Sequence, residues 1–414
     1  MSITARLPIC STKSLSLLFA LYGALTLTSM AWMNVGAGIL FLAIVFTRTE
    51  SQPQESLPQA SSERHLRTYF LSSMALALSC AVSLLAADWF PLSWAGKSVS
   101  VHFFKDLAKT WYLFWPCVLV IGLKRLQTAE QRQVLKTWLL VFFLLSGLGV
   151  FQYFWGWPRP QNIPSEPGRF HATLFLGHHL SVASILIFPF FVALDTLLWR
   201  FRGILTPLPQ LPTFIGILLG LSTLFLTYSR TLWLALPLGI GLWILLSLPQ
   251  RKKPLSIFLL IAFGVSLTQI PSVQNRLKTS IGIGPRQELW SANLEFFNQR
   301  PWTGVGFRKN EELSGYYLVE KFKSSDVFAG HAHNNALEVL AGTGLIGLMS
   351  WLLWCGVVIA ILLRKRKITS DPFPMSRALL CAWVVFHLNG LTQVNFWEGK
   401  VEHQLAWVIA WSLL

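Results

Sequence analysis

Apolar positions along this chain fall neither in alternation nor as a stripe on one helical face. They come as long apolar runs, at about 12–29, 31–47, 69–87, 107–123, 138–154, 179–198, 213–228, 231–248, 255–270, 336–362, 376–393 and 401–414. A bilayer core about 30 Å thick takes roughly 20 mostly apolar residues per crossing helix. Within lipid a helix satisfies its own backbone hydrogen bonds. The pattern predicts an all-α polytopic membrane protein of about twelve transmembrane helices. One long segment, 271–335, interrupts the series between the ninth and tenth helices and carries helical patterning of its own. No separate soluble unit is visible, so residues 1–414 read as a single integral membrane domain.

Composition supports this reading over that of a large soluble core. The chain is 53% hydrophobic and 13% charged, with 19 Trp and 30 Phe, beyond the usual range of a soluble domain. The first run follows Arg6 and Lys13 as a leader peptide would, but a second run follows at once, so a retained hairpin fits better than a cleaved leader. The five cysteines, Cys10, Cys80, Cys117, Cys355 and Cys381, have no metal-type spacing, and neither a disulfide framework nor a zinc site is indicated.

Charge orients the bundle. With the N-terminus in the cytoplasm, 19 of the 34 Lys and Arg residues fall on the inner side, as the positive-inside rule requires. Of the outer ones, eight lie in segment 271–335, where a long loop escapes the rule. That segment is expected to face outward, as is 155–178. Segment 48–68, with Pro53, Pro58 and mixed charges, is expected as a flexible cytoplasmic loop. The net charge of +16 is then mostly topology and attraction to membrane lipids; no nucleic-acid partner is indicated.

Three outward positions carry candidate chemistry. Arg230, in TYSRTLWLAL, stands at the junction of two apolar runs, either snorkelling to a lipid phosphate or serving as an anion ligand at the mouth of the bundle. Arg286 opens PRQELWSANLEFF, where Trp290, Leu294 and Phe297 recur at helical spacing. It lies near the positive end of a short amphipathic helix, where phosphate would be welcome, or is simply exposed on a helix resting on the membrane. His331 and His333 precede a helix that starts near Asn335, with Asn334 placed to cap it. A neutral imidazole there could take a proton from a hydroxyl. Glu338, inside the following apolar run, requires a partner, and an arginine of the outer cluster is the candidate. Gly342, Gly344 and Gly347 permit close packing of that helix. A metal site at His331-Ala-His333 is a poor reading, because no carboxylate pattern completes it. His178 and His179 also face outward and are expected to be simple loop residues or minor polar contacts.

With these residues in view, the chain resembles the superfamily of O-antigen ligases and O-antigen polymerases. His333, Asn334, the nine residues 335–343, then Gly344 and Gly347 match the family's spacing of histidine, a small polar residue, nine residues and Gly-x-x-Gly. Ser229-Arg230-x-x-Trp233 is similar to its Ser-Arg-x-x-Trp element. Arg286-x-x-x-Trp290 and Pro301-x-x-Gly304-x-Gly306 are similar to a later pair of elements. Segment 168–181 resembles an earlier outer loop more loosely, and no catalytic role is carried onto His178 or His179.

The resemblance implies a metal-independent glycosyltransferase, without cofactor, in the bacterial inner membrane. Its donor would be a glycan on undecaprenyl diphosphate and its acceptor a hydroxyl of lipid A–core oligosaccharide, joined at the periplasmic face. It implies His333 as general base, with Arg230 and Arg286 as catalytic diphosphate ligands. Substrate contacts are expected from Arg230, Arg286, His331, Asn334 and Glu338. Polymerization of O-units and glycan transfer to protein remain open within the superfamily. A lipid or solute permease is the alternative of a different class.

Overall fold

The computed structural model describes residues 11–47, 59–94, 96–163, 165–199, 208–278, 283–323, 329–366 and 373–414. All twelve apolar runs are helical. Among the described residues, six helical stretches are long and apolar enough to cross a membrane: 62–89, 103–123, 128–155, 179–198, 230–247 and 335–365. Three shorter apolar helices, 12–25, 30–46 and 210–226, accompany them. The protein is an all-α polytopic membrane protein.

In chain order the elements are α1 (Thr12–Leu25), α2 (Met30–Phe46), α3 (Gln59–Trp89), the hairpin β1 (Ser93–Trp94) and β2 (Lys97–Ser98), α4 (Phe103–Leu107) and α5 (Trp115–Leu123). Then come α6 (Thr128–Trp155), the hairpin β3 (Asn162–Ile163) and β4 (Glu166–Phe170), α7 (His179–Trp199), α8 (Gln210–Leu226), α9 (Arg230–Ser247) and α10 (Lys253–Thr268). The long segment contributes α11 (Pro271–Lys278), α12 (Ile283–Gln299) and α13 (Asn310–Phe322), and the chain finishes with α14 (Asn335–Lys365), α15 (Ser376–Asn389) and α16 (Gly399–Leu413).

Burial separates central helices from peripheral ones. The apolar window of α7 is 83% buried within the protein and that of α9 only 28%, so α7 is a core helix and α9 offers most of its surface to lipid. Every residue of α16 from Val401 to Leu413 is buried. Apolar burial alone gives little helix association in lipid, and polar contacts between helices add specificity. Tyr22 on α1 meets His403 Nδ1 at 3.0 Å and accepts from Trp115 Nε1 at 2.7 Å, while Asn34 on α2 meets His403 Nε2 at 2.9 Å. These contacts tie α16 to the first two helices.

One expectation about segments needs correction. Residues 59–67, expected as part of a flexible loop, are the first turns of the 31-residue α3; residues 48–58 lie outside the described residues. On α12 the face buried within the protein is Leu289, Ala292, Asn293 and Phe296, and of the stripe Trp290, Leu294, Phe297 the middle residue, Leu294, is 46% exposed. Two apolar stripes offset by about one residue run along this helix. Packing against Trp94 and Tyr317, which lie 5.0 and 5.9 Å from the Phe296 ring, selects the stripe that faces inward.

The outer segment is anchored to the bundle at a break in α14. Gly344 leaves helical geometry (φ 66°, ψ −164°), which frees backbone groups on both sides of it. The turn after α12 takes them up. Val305 and Gly306 donate to the carbonyls of Ala341 and Gly342 at 2.9 and 3.0 Å, and Leu345 donates to Pro301 O at 2.8 Å. Ser83 on α3 donates to the same Gly342 carbonyl at 2.6 Å. Irregular backbone at membrane depth is tolerated where protein covers it, and here the Pro301–Gly306 turn supplies the cover. Lys309 adds an ion pair, reaching Asp106 in α4 at 2.6 Å.

Candidate functional site at one end of the bundle

Arg230 is set by a tight turn between α8 and α9. Tyr228 takes a left-handed conformation (φ 54°), uncommon for a bulky residue and characteristic of constrained sites. The Tyr228 ring is held by a parallel stack on His171, centroids 5.5 Å apart. Ala172 donates to Leu226 O at 3.0 Å. The chain therefore turns within Thr227–Ser229, and α9 begins at Arg230 with its side chain at the helix end.

Arg286 is brought in by Trp290, one turn further along α12. The indole Nε1 donates to Ala332 O at 2.8 Å, between the two histidines. Residues four apart share a helix face, so this bond sets Arg286 beside the histidine turn. The spacing Arg-x-x-x-Trp is thereby an anchor plus a reaching cation. Burial, and then the nearby positive charge of Arg230, lower the Arg286 guanidinium below the usual arginine range. The two arginines are close enough to repel, as polyanion ligands are in such pairs.

The turn His331–Asn334 is built by its own polar atoms. Ala332 N–H donates to Glu338 Oε2 at 2.7 Å, and His333 N–H donates to His331 Nδ1 at 3.3 Å, with the rings 4.2 Å apart. His331 Nδ1 is thus an acceptor, which leaves the proton of a neutral imidazole on Nε2. His333 is left-handed (φ 48°). Asn334 Oδ1 accepts from Leu337 N–H at 3.0 Å as the helix cap, and its Nδ2 donates to Leu391 O at 3.0 Å. Burial first, then the charges of His331, Arg286 and His178, push His333 down to about 3; burial likewise lowers His331. Both imidazoles are neutral near pH 7 and His333 is available as a base.

Arg230, Arg286, His331 and His333 therefore gather at one end of the bundle. Asn334 and Glu338 are present but engaged by the chain itself. The Ala332 N–H donates to Glu338, no ion pair to Glu338 within 4.0 Å occurs among the described residues, and the expected arginine influence comes from Arg308 acting from further away. No group of three or more His, Cys, Asp or Glu arranged to hold a metal occurs among the described residues.

Three features of this end escape a reading of the sequence. His178, discounted as a loop residue, lies within electrostatic reach of both His331 and His333. Burial, Lys400 and His331 push it down to about 4. Arg308 follows Gly304-x-Gly306 in a left-handed conformation (φ 60°), pairs with Glu311 at 3.3 Å, and its charge reaches His331. Its signal in sequence is its position directly after the glycine turn. The third is segment 390–400, between α15 and α16. Thr392 hydrogen-bonds Thr231, next to Arg230. Gly390 O accepts from Asn335 N–H at 2.8 Å, and Asn335 Oδ1 accepts from Asn395 N–H at 3.0 Å. Glu398 accepts from Ser181 on α7. One strap thus joins the starts of α7, α9 and α14, and no local motif announces it.

The fold and site define a polytopic helical membrane protein with paired guanidiniums and neutral imidazoles at one end of its bundle. Residues 215–352, from α8 through the break in α14 and including Arg230, Arg286 and His333, match the family described as O-Antigen ligase. The chain is also similar to an O-antigen ligase of Pseudomonas aeruginosa, at 28% identity over 309 residues, covering 72% of this chain and 66% of that relative. The chain is thus similar to O-antigen ligases over part of its length.

Proposed function

We propose that this protein transfers O-antigen polysaccharide from undecaprenyl diphosphate to a hydroxyl of lipid A–core oligosaccharide, at the periplasmic face of the bacterial inner membrane. The observation that carries the reading is the meeting of Arg230, Arg286 and His333 from three separated stretches of the chain. Guanidiniums bind phosphate oxygens in pairs. A neutral imidazole beside them accepts a proton.

In the proposed step the acceptor hydroxyl attacks the anomeric carbon of the donor sugar. Its proton passes to His333 as the new C–O bond forms. The bond from that carbon to the diphosphate oxygen breaks, and Arg230 and Arg286 stabilise the charge gathering on the departing diphosphate. No metal is required by this scheme, because the two fixed cations take the role of charge stabiliser. Asn334 and Glu338 hold the histidine turn in shape, and His331 fixes the backbone of its neighbour.

Transfer in vitro from a defined polyprenyl-diphosphate-linked glycan to lipid A–core, with and without a chelator, tests the scheme. Transfer that survives the chelator and disappears in His333→Ala is the expected result; full activity in His333→Ala removes the base. In cells, loss of a ligase leaves lipid-linked polymer accumulating. Lipopolysaccharide capped with a single unit would instead identify a polymerase.

A further inference from the structure

Arg230 and Arg286 stand together. Near His178, Glu398 lies at the end of the 390–400 strap, held on Oε1 by the hydroxyl of Ser181, which is fully buried. Ser181 Oγ is also 3.3 Å from His178 Nδ1. His178 in turn lies within reach of His331 and His333. Hydrogen bonds thus join Glu398 to Ser181 and Ser181 to His178, whose charge in turn reaches the base.

Glu398 itself is only partly covered. Among the described residues its carboxylate has no other hydrogen-bond donor and no cation within 4.0 Å. Burial raises the Glu398 carboxyl above the usual carboxylate range, and the Ser181 hydroxyl, with Lys400 and Arg308 acting from further away, opposes this. A carboxylate so placed would repel a diphosphate, so the donor's anionic group belongs on the arginine side. An ionised carboxylate accepts hydrogen bonds and makes about four acceptor positions available. One is taken by Ser181; the others suit hydroxyl groups, the commonest donors of a glycan.

We propose that Glu398 is an acceptor-binding residue, its carboxylate held by Ser181 beside His178 so that it takes hydrogen bonds from hydroxyls of the acceptor sugar and leads the reacting hydroxyl toward His333. The proposal rests on the glycosyl-transfer reading given above. The two substrates are then held by different groups, the diphosphate by the arginines and the acceptor sugar by the carboxylate. Such an arrangement also keeps the acceptor from occupying the diphosphate position.

The test uses full-length protein in detergent with Glu398→Gln, which retains an oxygen for Ser181 but loses the charge. Two measurements are made: steady-state transfer with donor and lipid A–core varied separately, and direct binding of core oligosaccharide released from its lipid. Glu398→Gln is expected to raise the acceptor KM by about 10-fold or more, with the donor KM within about 2-fold, and to weaken core oligosaccharide binding by a similar factor. Ser181→Ala is expected to shift the acceptor KM in the same direction by less. Unchanged acceptor KM and binding, or equal shifts in both KM values, overturns the proposal. If the wild-type protein does not transfer between these substrates, the reading of function fails, and the binding measurement alone then decides Glu398. Should Glu398→Gln not fold, Glu398→Asp takes its place with the same two measurements.

Discussion

Gly344 lies against Trp302 so closely that a Cβ at this glycine would stand 2.3 Å from the Trp302 carbonyl carbon and oxygen. The mirror contact is equally tight, a Cβ on Gly304 falling 2.5 Å from the carbonyl carbon of Gly342. The family-like spacing of these glycines therefore reports a joint of backbone on backbone, in addition to ordinary helix packing. Both glycines also have φ of 66°.

Gly344→Ala and Gly304→Ala are expected to damage folding before chemistry. The left-handed backbone alone costs on the order of 1–3 kcal/mol for a residue with a side chain, and the contacting atoms are main chain, which cannot swing aside. The yield of monodisperse protein in detergent and its thermal midpoint should both fall. Normal values for both variants would mean that the joint is looser than its geometry.

Arg286→Lys should recover little of the activity lost in Arg286→Ala. A lysine keeps the charge but loses the planar fork that takes two oxygens at once, and loss of a charge-stabilising group of this kind typically lowers kcat by about 100-fold or more. Arg230→Ala should be similarly impaired while protein level stays normal. Wild-type turnover in Arg286→Lys would reduce the residue to a surface charge.

The pH profile follows from the sign of the His333 shift. Its pKa falls from the usual histidine value to about 3, so the base remains neutral as pH drops through 6.5 and titrates only far below it. The dependence of kcat/KM on pH, which reports the free enzyme, should show no acid limb near 6.5 from this residue. Stability has the opposite sensitivity. Between about 3 and 6.5 the unfolded chain takes up a proton at His333 that the folded chain resists, so stability present above 6.5 declines as pH falls. His178, held at about 4, acts in the same direction. A titration of the His333 ring centred on 6.5, followed by NMR in the folded protein, would contradict the burial of the imidazole.

Glu338→Gln should be much milder than Glu338→Ala. The glutamine oxygen can still accept from Ala332 N–H, whereas alanine leaves that N–H without its partner at a cost of about 1–3 kcal/mol. Thermal unfolding and transfer rate measured together separate the possibilities. If Gln is as damaging as Ala, the carboxylate charge, and not its acceptor geometry, is what the turn requires.

Much of the membrane architecture was legible because each long apolar run needs only its own residues to become a helix. The turn at His333–Asn334 and the glycines at 342–347 were legible for a similar reason, being contiguous in sequence. What could not be read were contacts made across the chain. Which of the two apolar stripes of α12 faces the protein could not be read, because Trp290, Leu294 and Phe297 are as apolar as the residues that packing buries. The partner of Glu338 is a backbone N–H, which no pattern of side chains reveals. Glu398 and its strap lie more than fifty residues beyond the histidine turn and have no repeat or motif; only the tertiary path through Ser181 and Asn335 exposes them. The meeting of Arg230 with Arg286 was expected through family likeness, and the geometry at Trp290 supplies its physical cause.

The break at Gly344 has a consequence for how this molecule can be taken apart. Carbonyls of a bilayer helix and amides of the water-side segment complete one another there, so neither set is satisfied alone. A fragment spanning only the extramembrane helices would carry the Pro301–Gly306 turn with its amides bare, and the remaining bundle would hold an unfilled notch at membrane depth. The Pro301–Gly306 turn is therefore not part of a detachable module but is keyed into α14 by main-chain hydrogen bonds.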